Sequence, residues 1–251
     1  MSLYKTDAVV LKTHNLSEAD RIFILFSPLY GRIDAVARGI RKPSSKFGGT
    51  LEIFSHVYLM LSEGKNLAVI TQAELCNSHY SLREDLRRLA CASYFIEIVT
   101  DSILPGQENI ELFSLVLSGL SLLEYHDNLD LILRYTEIHF LKSLGVNPIL
   151  ERCLRCGNLF TSSYVKFFTT LGGAFCEKCI FPQGKEYFTV SLKTLNFLHS
   201  LLKVLPGDLE KISFSTGINN ESRCLLRSLI ICNLGKDIKS LKMLDSFMEA
   251  L

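Results

Sequence analysis

Two closely spaced pairs of cysteines place the strongest constraint on how this chain can fold. Cys153 and Cys156 form the first pair, Cys176 and Cys179 form the second, and nineteen residues lie between the pairs. A Cys-x-x-Cys segment turns back on itself so that both sulfur atoms can reach one ion, and two such segments complete a tetrahedral site. Four thiolates leave no position for water, which is typical of structural zinc. We therefore predict one structural zinc ion held by these four cysteines.

The residues around the cysteines fit such a site. Glycines stand where tight turns are needed, at Gly157 and at Gly172–Gly173. The segment Tyr164–Phe168 is predicted to form a short strand, so region 151–181 is predicted to be a ribbon-like insert. Four thiolates on a divalent ion carry a net charge of −2, which nearby basic residues offset: Arg152, Arg155 and Lys178. The alternatives are four unligated core cysteines or a redox pair, but a thioredoxin-like pair requires a βαβ unit around it.

Length and composition indicate a globular protein of one large domain or two smaller ones. The chain has 251 residues, of which 48% are hydrophobic and 21% charged. Lys5 and Asp7 interrupt the N-terminal region, and the longest uncharged apolar stretch, Leu112–Leu123, is too short for a bilayer. We therefore expect a cytoplasmic protein with no secretion signal. Under reducing conditions the remaining cysteines are predicted to be small core residues: Cys76, Cys91, Cys224 and Cys232.

The first 80 residues are predicted to form a small barrel. Five short segments rich in β-branched and aromatic residues follow one another at roughly ten-residue spacing, with turn signals between them. Five strands in a segment of this length suit a closed barrel of the oligonucleotide/oligosaccharide-binding (OB) type. The predicted strands are Thr6–Thr13, Asp20–Phe26, Gly31–Ala37, Ile53–Leu61 and Asn66–Leu75.

The remainder, residues 81–251, is predicted to be a helical domain that carries the cysteine insert. Apolar residues recur at helical spacing, and the segments end at proline or glycine signals such as Pro105–Gly106 and Pro206–Gly207. The fold class is therefore α+β. The predicted helices are one from Leu82 to near Pro105, then Glu108–Tyr125, Asn128–Leu144, a helix from Ser191 to Pro206, Asn220–Leu234 and Ser240–Glu249.

A basic segment in the predicted barrel is the candidate for binding nucleic acid. The formal net charge is +1, so any such role must come from local clustering. Between Arg32 and Gly49 five positive residues accompany one acid, Asp34, and the Gly, Pro and Ser content from Gly39 onward predicts a solvated, mobile loop. Phe47 is a candidate for stacking on a base. The alternative is an ordinary solvated basic loop.

No sequence pattern indicates an active site. The chain has no G-x-x-x-x-G-K-[ST] loop, no H-E-x-x-H and no G-x-S-x-G. Asp and Glu residues show no paired arrangement, and His139 near Glu137 is interpreted as a core histidine. We therefore expect a protein that is not an enzyme.

Taken together, the motifs resemble the RecO family of bacterial recombination mediators and DNA-repair proteins. Each motif alone is weak apart from the cysteines, but their order and spacing extend over nearly the whole chain. The segments that carry the resemblance are Tyr4–Lys12, Ser17–Arg21, Ala37–Lys46, Leu144–Pro148, Cys153–Gly157, Gly172–Cys179 and Leu234–Ser240.

The resemblance implies a DNA-binding, non-enzymatic role in the RecF pathway of recombinational repair. It implies binding to single- and double-stranded DNA, annealing of complementary strands, and loading of RecA together with RecR on DNA coated by single-strand binding protein. It further implies docking on the C-terminal tail of that protein and a nucleoid-associated location in a bacterial cytoplasm. The DNA contacts that it implies are Arg38, Arg41, Lys42 and Lys46, with Arg21, Arg32 and Lys239 as further candidates.

Two other functions are consistent with the sequence. One is a purely protein-binding adaptor, and the other is an RNA-binding OB-fold protein of translation or transcription. Binding that weakens with salt and with loss of the basic loop favours the DNA mediator, whereas a strong preference for RNA favours the last.

Overall fold

The computed structural model describes residues 2–180 and 182–248, and it divides into two compact units. The first comprises Met1–Tyr125 and Lys239–Leu251, and the second comprises His126–Ile238. This division differs from the predicted boundary at residue 80, because helices that follow the barrel pack in the same unit as its strands. Phe113 illustrates the packing, since its ring meets that of Phe26 edge to face with centroids 5.5 Å apart.

Five strands form a closed barrel in the first unit, with the order β1-β2-β3-β5-β4. Neighbouring strands are antiparallel except for β3 and β5, which run parallel. All five predicted strands are therefore confirmed, the third with the predicted bounds. The strands are β1 (Leu3–Asn15), β2 (Arg21–Ser27), β3 (Gly31–Ala37), β4 (His56–Ser62) and β5 (Ala68–Asn77).

Alternation along the strands builds the barrel core. Every second residue of a strand points inward, and on β4 these are Val57, Leu59 and Leu61, all fully buried. Two residues of the loop between β3 and β4, Phe47 and Leu51, complete the same core. The other inward residues are Ala8, Val10, Phe23, Leu25, Ile33, Ala35, Ala37 and Ile70.

Three helices follow the barrel: α1 (Ser81–Glu84), α2 (Leu86–Ser102) and α3 (Ile110–Tyr125). The prediction of a single helix from Leu82 to near Pro105 was wrong in its first turns. Asp85 has an extended backbone (φ −103°, ψ 119°), and its carboxylate accepts hydrogen bonds from the backbone N–H groups of Arg87 and Arg88. Asp85 is thus the N-cap of a new helix, which separates α2 from the short α1.

The second unit contains a helical part and a three-stranded sheet with the order β7-β6-β8. Both strand pairs of this sheet are antiparallel. The predicted strand Tyr164–Phe168 is confirmed as β6. The elements are α4 (Leu129–Ser143), β6 (Tyr164–Phe168), β7 (Gly173–Phe175), β8 (Phe188–Ser191), α5 (Leu192–Leu201) and α6 (Thr216–Leu234), with 3-10 turns at Thr169–Leu171 and Pro206–Lys211.

Side-chain caps fix where the helices of the second unit begin. Asn128 accepts from the N–H of Leu131, and Ser191 accepts from the N–H of Thr194. The third cap, Ser215, bonds the N–H of Ile218, so α6 begins four residues before the predicted Asn220.

A buried ion pair lies within α4. Arg134 and Glu137 are both completely buried, and two hydrogen bonds of 2.6 and 2.8 Å join the guanidinium to the carboxylate. The amide oxygen of Asn219 on α6 lies 3.4 Å from the same guanidinium. His139 lies on the same helix, and its Nε2 is 3.0 Å from the carbonyl oxygen of Leu201. The buried charges of Arg134 and Glu137 therefore each have a partner, as buried charges require.

The last helix, α7 (Leu241–Met248), returns to the first unit. It matches the predicted Ser240–Glu249 helix, except that Glu249 lies outside the described residues. Within residues 2–180 and 182–248, no helix is both long and apolar enough to cross a membrane.

Candidate metal centre and nucleic-acid interface

The four predicted cysteine ligands converge in the second unit. Their sulfur atoms all lie within 4.8 Å of one another, and the sulfurs of Cys156 and Cys176 are 3.8 Å apart. A tetrahedral ion with four sulfur ligands at about 2.3 Å places those sulfurs about 3.8 Å apart. The cluster therefore has the dimensions of a four-sulfur metal site.

Local hydrogen bonds shape the two turns that present the sulfurs. The N–H of Gly157 bonds the carbonyl of Cys153 at 3.0 Å, and the N–H of Cys179 bonds that of Cys176 at 3.1 Å. Gly157 has a φ of +71°, which a residue with a Cβ adopts only with strain. The predicted role of this glycine as a turn residue is confirmed.

The sheet brings the two turns together. The N–H of Leu154 in the first turn donates to the carbonyl of Ala174 on β7 at 2.9 Å. β7 ends at Phe175, so the second cysteine pair follows it directly. Gly173 leaves room for this contact, since a Cβ there would lie 2.7 Å from Cδ2 of Leu154.

Backbone donors favour a thiolate at Cys153. Burial opposes ionisation of this thiol, but N–H groups of Cys156, Cys176 and Arg155 outweigh it and lower the pKa of Cys153 to about 6. The last two donate to its sulfur at 3.4 Å each. Conversely, the contact with the Cys176 sulfur, followed by partial desolvation and the other sulfurs, raises the pKa of Cys179 to about 12. Four crowded sulfurs cannot all carry charge without a cation, so the donor set could hold one metal ion.

The prediction for the other cysteines was wrong at three of four positions. Cys91 is buried, as predicted, whereas Cys76, Cys224 and Cys232 are exposed. On α6 the buried positions Ser222, Leu225, Leu226, Leu229 and Ile230 form one helical stripe, and Cys224 and Cys232 fall outside it.

The basic loop between β3 and β4 is tied to the β1–β2 connection. Asp20 accepts a hydrogen bond from the N–H of Gly39 at 2.7 Å, and the N–H of Arg41 donates to the carbonyl of Ala19 at 3.0 Å. Gly39 has a φ of +69°, which the turn at this point requires. Sequence reasoning missed the role of Asp20, because its partner Gly39 lies nineteen residues further along the chain and no local pattern links the two.

The proposal that Phe47 stacks on a base is contradicted. Its side chain is 3% exposed and lies in the barrel core. The loop is therefore anchored by an apolar side chain. The neighbouring Lys46 places its Nζ over this ring, 5.1 Å from the ring centroid.

The four principal cations of the loop are exposed, as predicted. Arg38, Arg41, Lys42 and Lys46 all lie at the surface. Arg41 donates to the carbonyl of Ser17 at 3.0 Å, and Lys46 donates to that of Thr71 at 2.7 Å. Backbone carbonyls do not neutralise a cation, and among the described residues none of the four pairs with a carboxylate. All four positive charges remain available to an anionic ligand.

The three further candidates differ from one another. Arg21 is half-buried and donates to Asn15 at 3.3 Å. Arg32 forms a two-point pair with Asp34 at 2.9 and 3.2 Å, which offsets its charge. Lys239 is exposed just before α7.

A small cleft lies beside the loop. It has a volume of about 210 Å³, and Arg21 and Arg41 line it together with Glu52. The cleft brings a candidate residue from β2 next to one from the loop, and it is too small for a drug-sized ligand.

Comparison with known families matches nearly the whole chain. The family model described as "Recombination protein O N terminal" matches residues 1–79, and the one described as "Recombination protein O C terminal" matches residues 83–242. The boundary between the two matches falls where β5 has ended and α1 begins.

Curated relatives are similar to this chain over most or all of their length. A DNA repair protein RecO of Roseiflexus sp. (strain RS-1) is 35% identical over 251 residues, which cover 99% of this chain and 87% of the relative. A DNA repair protein RecO of Pelotomaculum thermopropionicum is 34% identical over 255 residues, which cover 100% of this chain and 96% of the relative. One of Symbiobacterium thermophilum is 32% identical over 257 residues, covering 100% of both chains.

Proposed function

Because this chain belongs to the RecO family of DNA repair proteins, we propose that it is a DNA-binding recombination mediator. In this proposal it binds single- and double-stranded DNA, anneals complementary strands and, with RecR, promotes RecA loading on DNA coated by single-strand binding protein. It also docks on the C-terminal tail of the single-strand binding protein. The setting is the RecF pathway in a bacterial cytoplasm.

The observation that carries the DNA-binding part is the exposed basic loop. Arg38, Arg41, Lys42 and Lys46 lie on one short loop that is anchored at Gly39 and Phe47. Anchoring limits the conformational freedom that the loop must lose on binding. Each of the four uncompensated charges can neutralise one phosphate of a strand. Phe47 is buried, so the proposal relies on phosphate contacts at this loop and not on base stacking by this ring.

We further propose that the barrel is of the OB type. Its order β1-β2-β3-β5-β4 is closed by the β1–β4 pair, with a parallel β3–β5 contact. This connectivity supports the assignment, since an OB fold is a five-stranded Greek-key barrel that binds oligonucleotides on one face and its adjoining loops.

The ion proposed for the four-cysteine cluster is zinc. A four-thiolate tetrahedral set suits this ion, and the thiolates fill every coordination position. When bound, zinc supplies structural cross-linking and no reaction. By binding the ion, the four ligands Cys153, Cys156, Cys176 and Cys179 would hold the two turns and β7 together.

We also propose that the protein is not an enzyme. A further proposal concerns Arg21, Arg32 and Lys239, which would add phosphate contacts to those of the loop.

Salt-dependent titration with single-stranded DNA tests the proposal. Each phosphate contact contributes a slope of about −0.7 to log K against log salt concentration. Four contacts therefore predict a slope near −3 for the full chain. Parallel titrations use duplex DNA and single-stranded RNA of the same sequence.

The result distinguishes the three classes of function. DNA binding with this salt dependence supports the mediator. An absence of affinity for either nucleic acid, with retained binding to purified RecR, would leave the adaptor. A preference for RNA of tenfold or more, about 1.4 kcal/mol, would favour an RNA-binding protein.

A further inference from the structure

Three side chains on the outer face of the barrel form a second cluster of metal-ligand atoms. Asp7 lies on β1, His56 begins β4 and Cys76 lies near the end of β5. Their ligand atoms all lie within 4.8 Å of one another, and His56 Nε2 is 3.1 Å from an oxygen of Asp7. The three residues come from distant segments, so no sequence spacing indicates this cluster.

Strand pairing explains why the three side chains meet. β4 lies between β1 and β5 and pairs with both. Asp7 pairs with Tyr58, two residues from His56, and residues two apart on a strand share a face. On β5 the register passes from His56↔Asn77 to Val57↔Leu75, so Cys76 is the extra residue of a β-bulge. A bulge redirects a side chain, here toward the neighbouring strand.

The cluster is open to solvent on one side and supported on the other. The Asp7 and His56 side chains are 47% and 20% exposed, and Cys76 is exposed. The ring of Phe113 on α3 meets the His56 ring edge to face, with centroids 6.0 Å apart at 72°. An ion from solution could therefore reach ligands that already have a fixed arrangement.

A cysteine beside a histidine–aspartate pair also raises the possibility of a nucleophile. Burial, followed by the charges of Asp7 and Glu74, raises the pKa of Cys76 above its ordinary value. Reactive cysteines have lowered pKa values, since the thiolate is the nucleophile. The same negative surroundings attract a cation, and a bound divalent cation itself stabilises the thiolate. The environment therefore disfavours a metal-free nucleophile, while a metal ion can still recruit Cys76 as a ligand.

We propose that Asp7, His56 and Cys76 bind one zinc ion with an open fourth position. The donors are one imidazole nitrogen, one thiolate and one carboxylate oxygen, all ordinary zinc ligands. A thiolate and a carboxylate together neutralise a divalent cation, whereas four thiolates leave a net charge of −2. The bound ion joins β1, β4 and β5, so zinc binding stabilises the barrel by mass action.

Metal stoichiometry tests this proposal on the full chain. Metal-free protein is equilibrated with micromolar free zinc, and zinc per chain is measured for wild type, Cys76→Ser and Cys224→Ser. Cys224 is an exposed cysteine outside both clusters and provides the matched control. Cys76→Ser should bind one ion fewer than wild type, and Cys224→Ser should bind as many as wild type. The comparison depends on this difference alone, so it holds whether or not the four-cysteine site is filled.

Thiol modification supplies a second measurement that needs no variant. Zinc should slow the alkylation of Cys76 in native protein at least tenfold and leave the alkylation rates of Cys224 and Cys232 unchanged.

Thermal unfolding of the same variants supplies a third measurement. Zinc should raise the Tm of wild type and of Cys224→Ser more than that of Cys76→Ser. Equal zinc content in wild type, Cys76→Ser and Cys224→Ser would overturn the proposal, and so would an alkylation rate at Cys76 that zinc does not change.

Discussion

Gly31 is the residue at which the barrel meets the connection between α2 and α3. Its φ is +61°, and a Cβ there would lie 2.3 Å from the carbonyl oxygen of Leu104 and 2.6 Å from that of Gln107. The next residue, Arg32, donates its N–H to the same Leu104 carbonyl at 3.1 Å. The close approach of two backbones therefore requires a residue without a Cβ.

We expect Gly31→Ala to lower the free energy of unfolding by more than 2 kcal/mol. About 1–2 kcal/mol comes from the left-handed backbone, and the contact with backbone atoms adds to it. Gly106→Ala is the matched control, since Gly106 has a φ of +72° with nothing within 4 Å of its Cβ position. Thermal unfolding of both variants measures the difference. Equal losses of stability would show that the contact with Leu104 contributes nothing.

The buried pair of Arg134 and Glu137 leads to a second residue-scale expectation. Removing one partner leaves a buried charge without compensation, so Glu137→Ala should cost about 3–5 kcal/mol. Replacing both residues, as in Arg134→Met with Glu137→Leu, should lower the free energy of unfolding by less than the single change, because no buried charge is then left without a partner. Urea unfolding of the two variants provides the test. A double variant less stable than the single one would contradict this view of the pair.

At the scale of elements, the start of α7 depends on one carboxylate of α2. Glu97 accepts hydrogen bonds from the N–H groups of Lys239 and Ser240 at 3.0 and 2.7 Å. Burial raises the pKa of Glu97, but the hydrogen bonds from Ser240 and then Lys239 outweigh it, so the pKa lies below its ordinary value. The carboxylate thus acts as a cap supplied from another helix.

Glu97→Gln should destabilise the protein by about 1 kcal/mol at neutral pH, as loss of a helix cap does. Because the folded pKa is lowered, the contribution is fully present above the unfolded pKa of about 4.3. It is lost as the pH falls through the lower, folded pKa. Unfolding of both proteins at neutral pH and below the folded pKa gives the comparison, and a stability difference that does not shrink in acid would contradict this role.

The cysteine insert gives a prediction about metal removal. Cys176→Ser should abolish binding at the four-cysteine cluster and destabilise the second unit by several kcal/mol, because binding of structural zinc contributes directly to folding. Cys232→Ser, at an exposed position on α6, should change neither. Metal content and thermal unfolding check both variants. If Cys176→Ser retained full metal content and stability, the cluster would not be a structural site.

Elements with strong local signals could be predicted, and those decided by distant contacts could not. The strand Gly31–Ala37 and the strand Tyr164–Phe168 were predicted with their observed bounds, since alternation and turn residues define both. The break at Asp85 had a readable signal, an aspartate directly before an apolar helical residue. Burial of Phe47 had none, because its partners in the barrel core come from the strands.

The candidate sites follow the same division. The four cysteine ligands are recognisable in the sequence because they form two local pairs, and the spacing within each pair is enough to bring both sulfur atoms to one ion. Asp7, His56 and Cys76 are scattered over the first 76 residues and meet only through strand register and a bulge. The exposure of Cys224 was predictable in principle from the helical period of α6, since its neighbours at positions 225 and 226 carry the buried stripe.

At the scale of the whole molecule, the compact units and the family matches divide the chain differently. The barrel ends at Asn77, and the N-terminal family match ends at residue 79. Yet helices α1 to α3 and α7 belong to the same compact unit as the barrel. Packing contacts such as Phe26 with Phe113 cause this difference. Sequence periodicity marks where strands give way to helices, but not which elements pack together.

The basic loop is the part of the molecule to which we assign DNA binding. The most direct test replaces Arg38, Arg41, Lys42 and Lys46 with alanine and repeats the salt titration with single-stranded DNA. Its matched control removes four exposed lysines of the second unit, Lys185, Lys193, Lys203 and Lys211, so that both variants lose the same charge.

We predict that the loop variant loses a few kcal/mol of affinity and most of its salt dependence, because each lost phosphate contact removes about 0.7 from the slope. Sequence preference should hardly change, since phosphate contacts do not read bases. Annealing should fall in parallel, while metal content and Tm stay near wild type, as exposed charges contribute little to folding. A loop variant that binds as tightly as wild type with an unchanged slope, or a control that loses as much, would contradict the account.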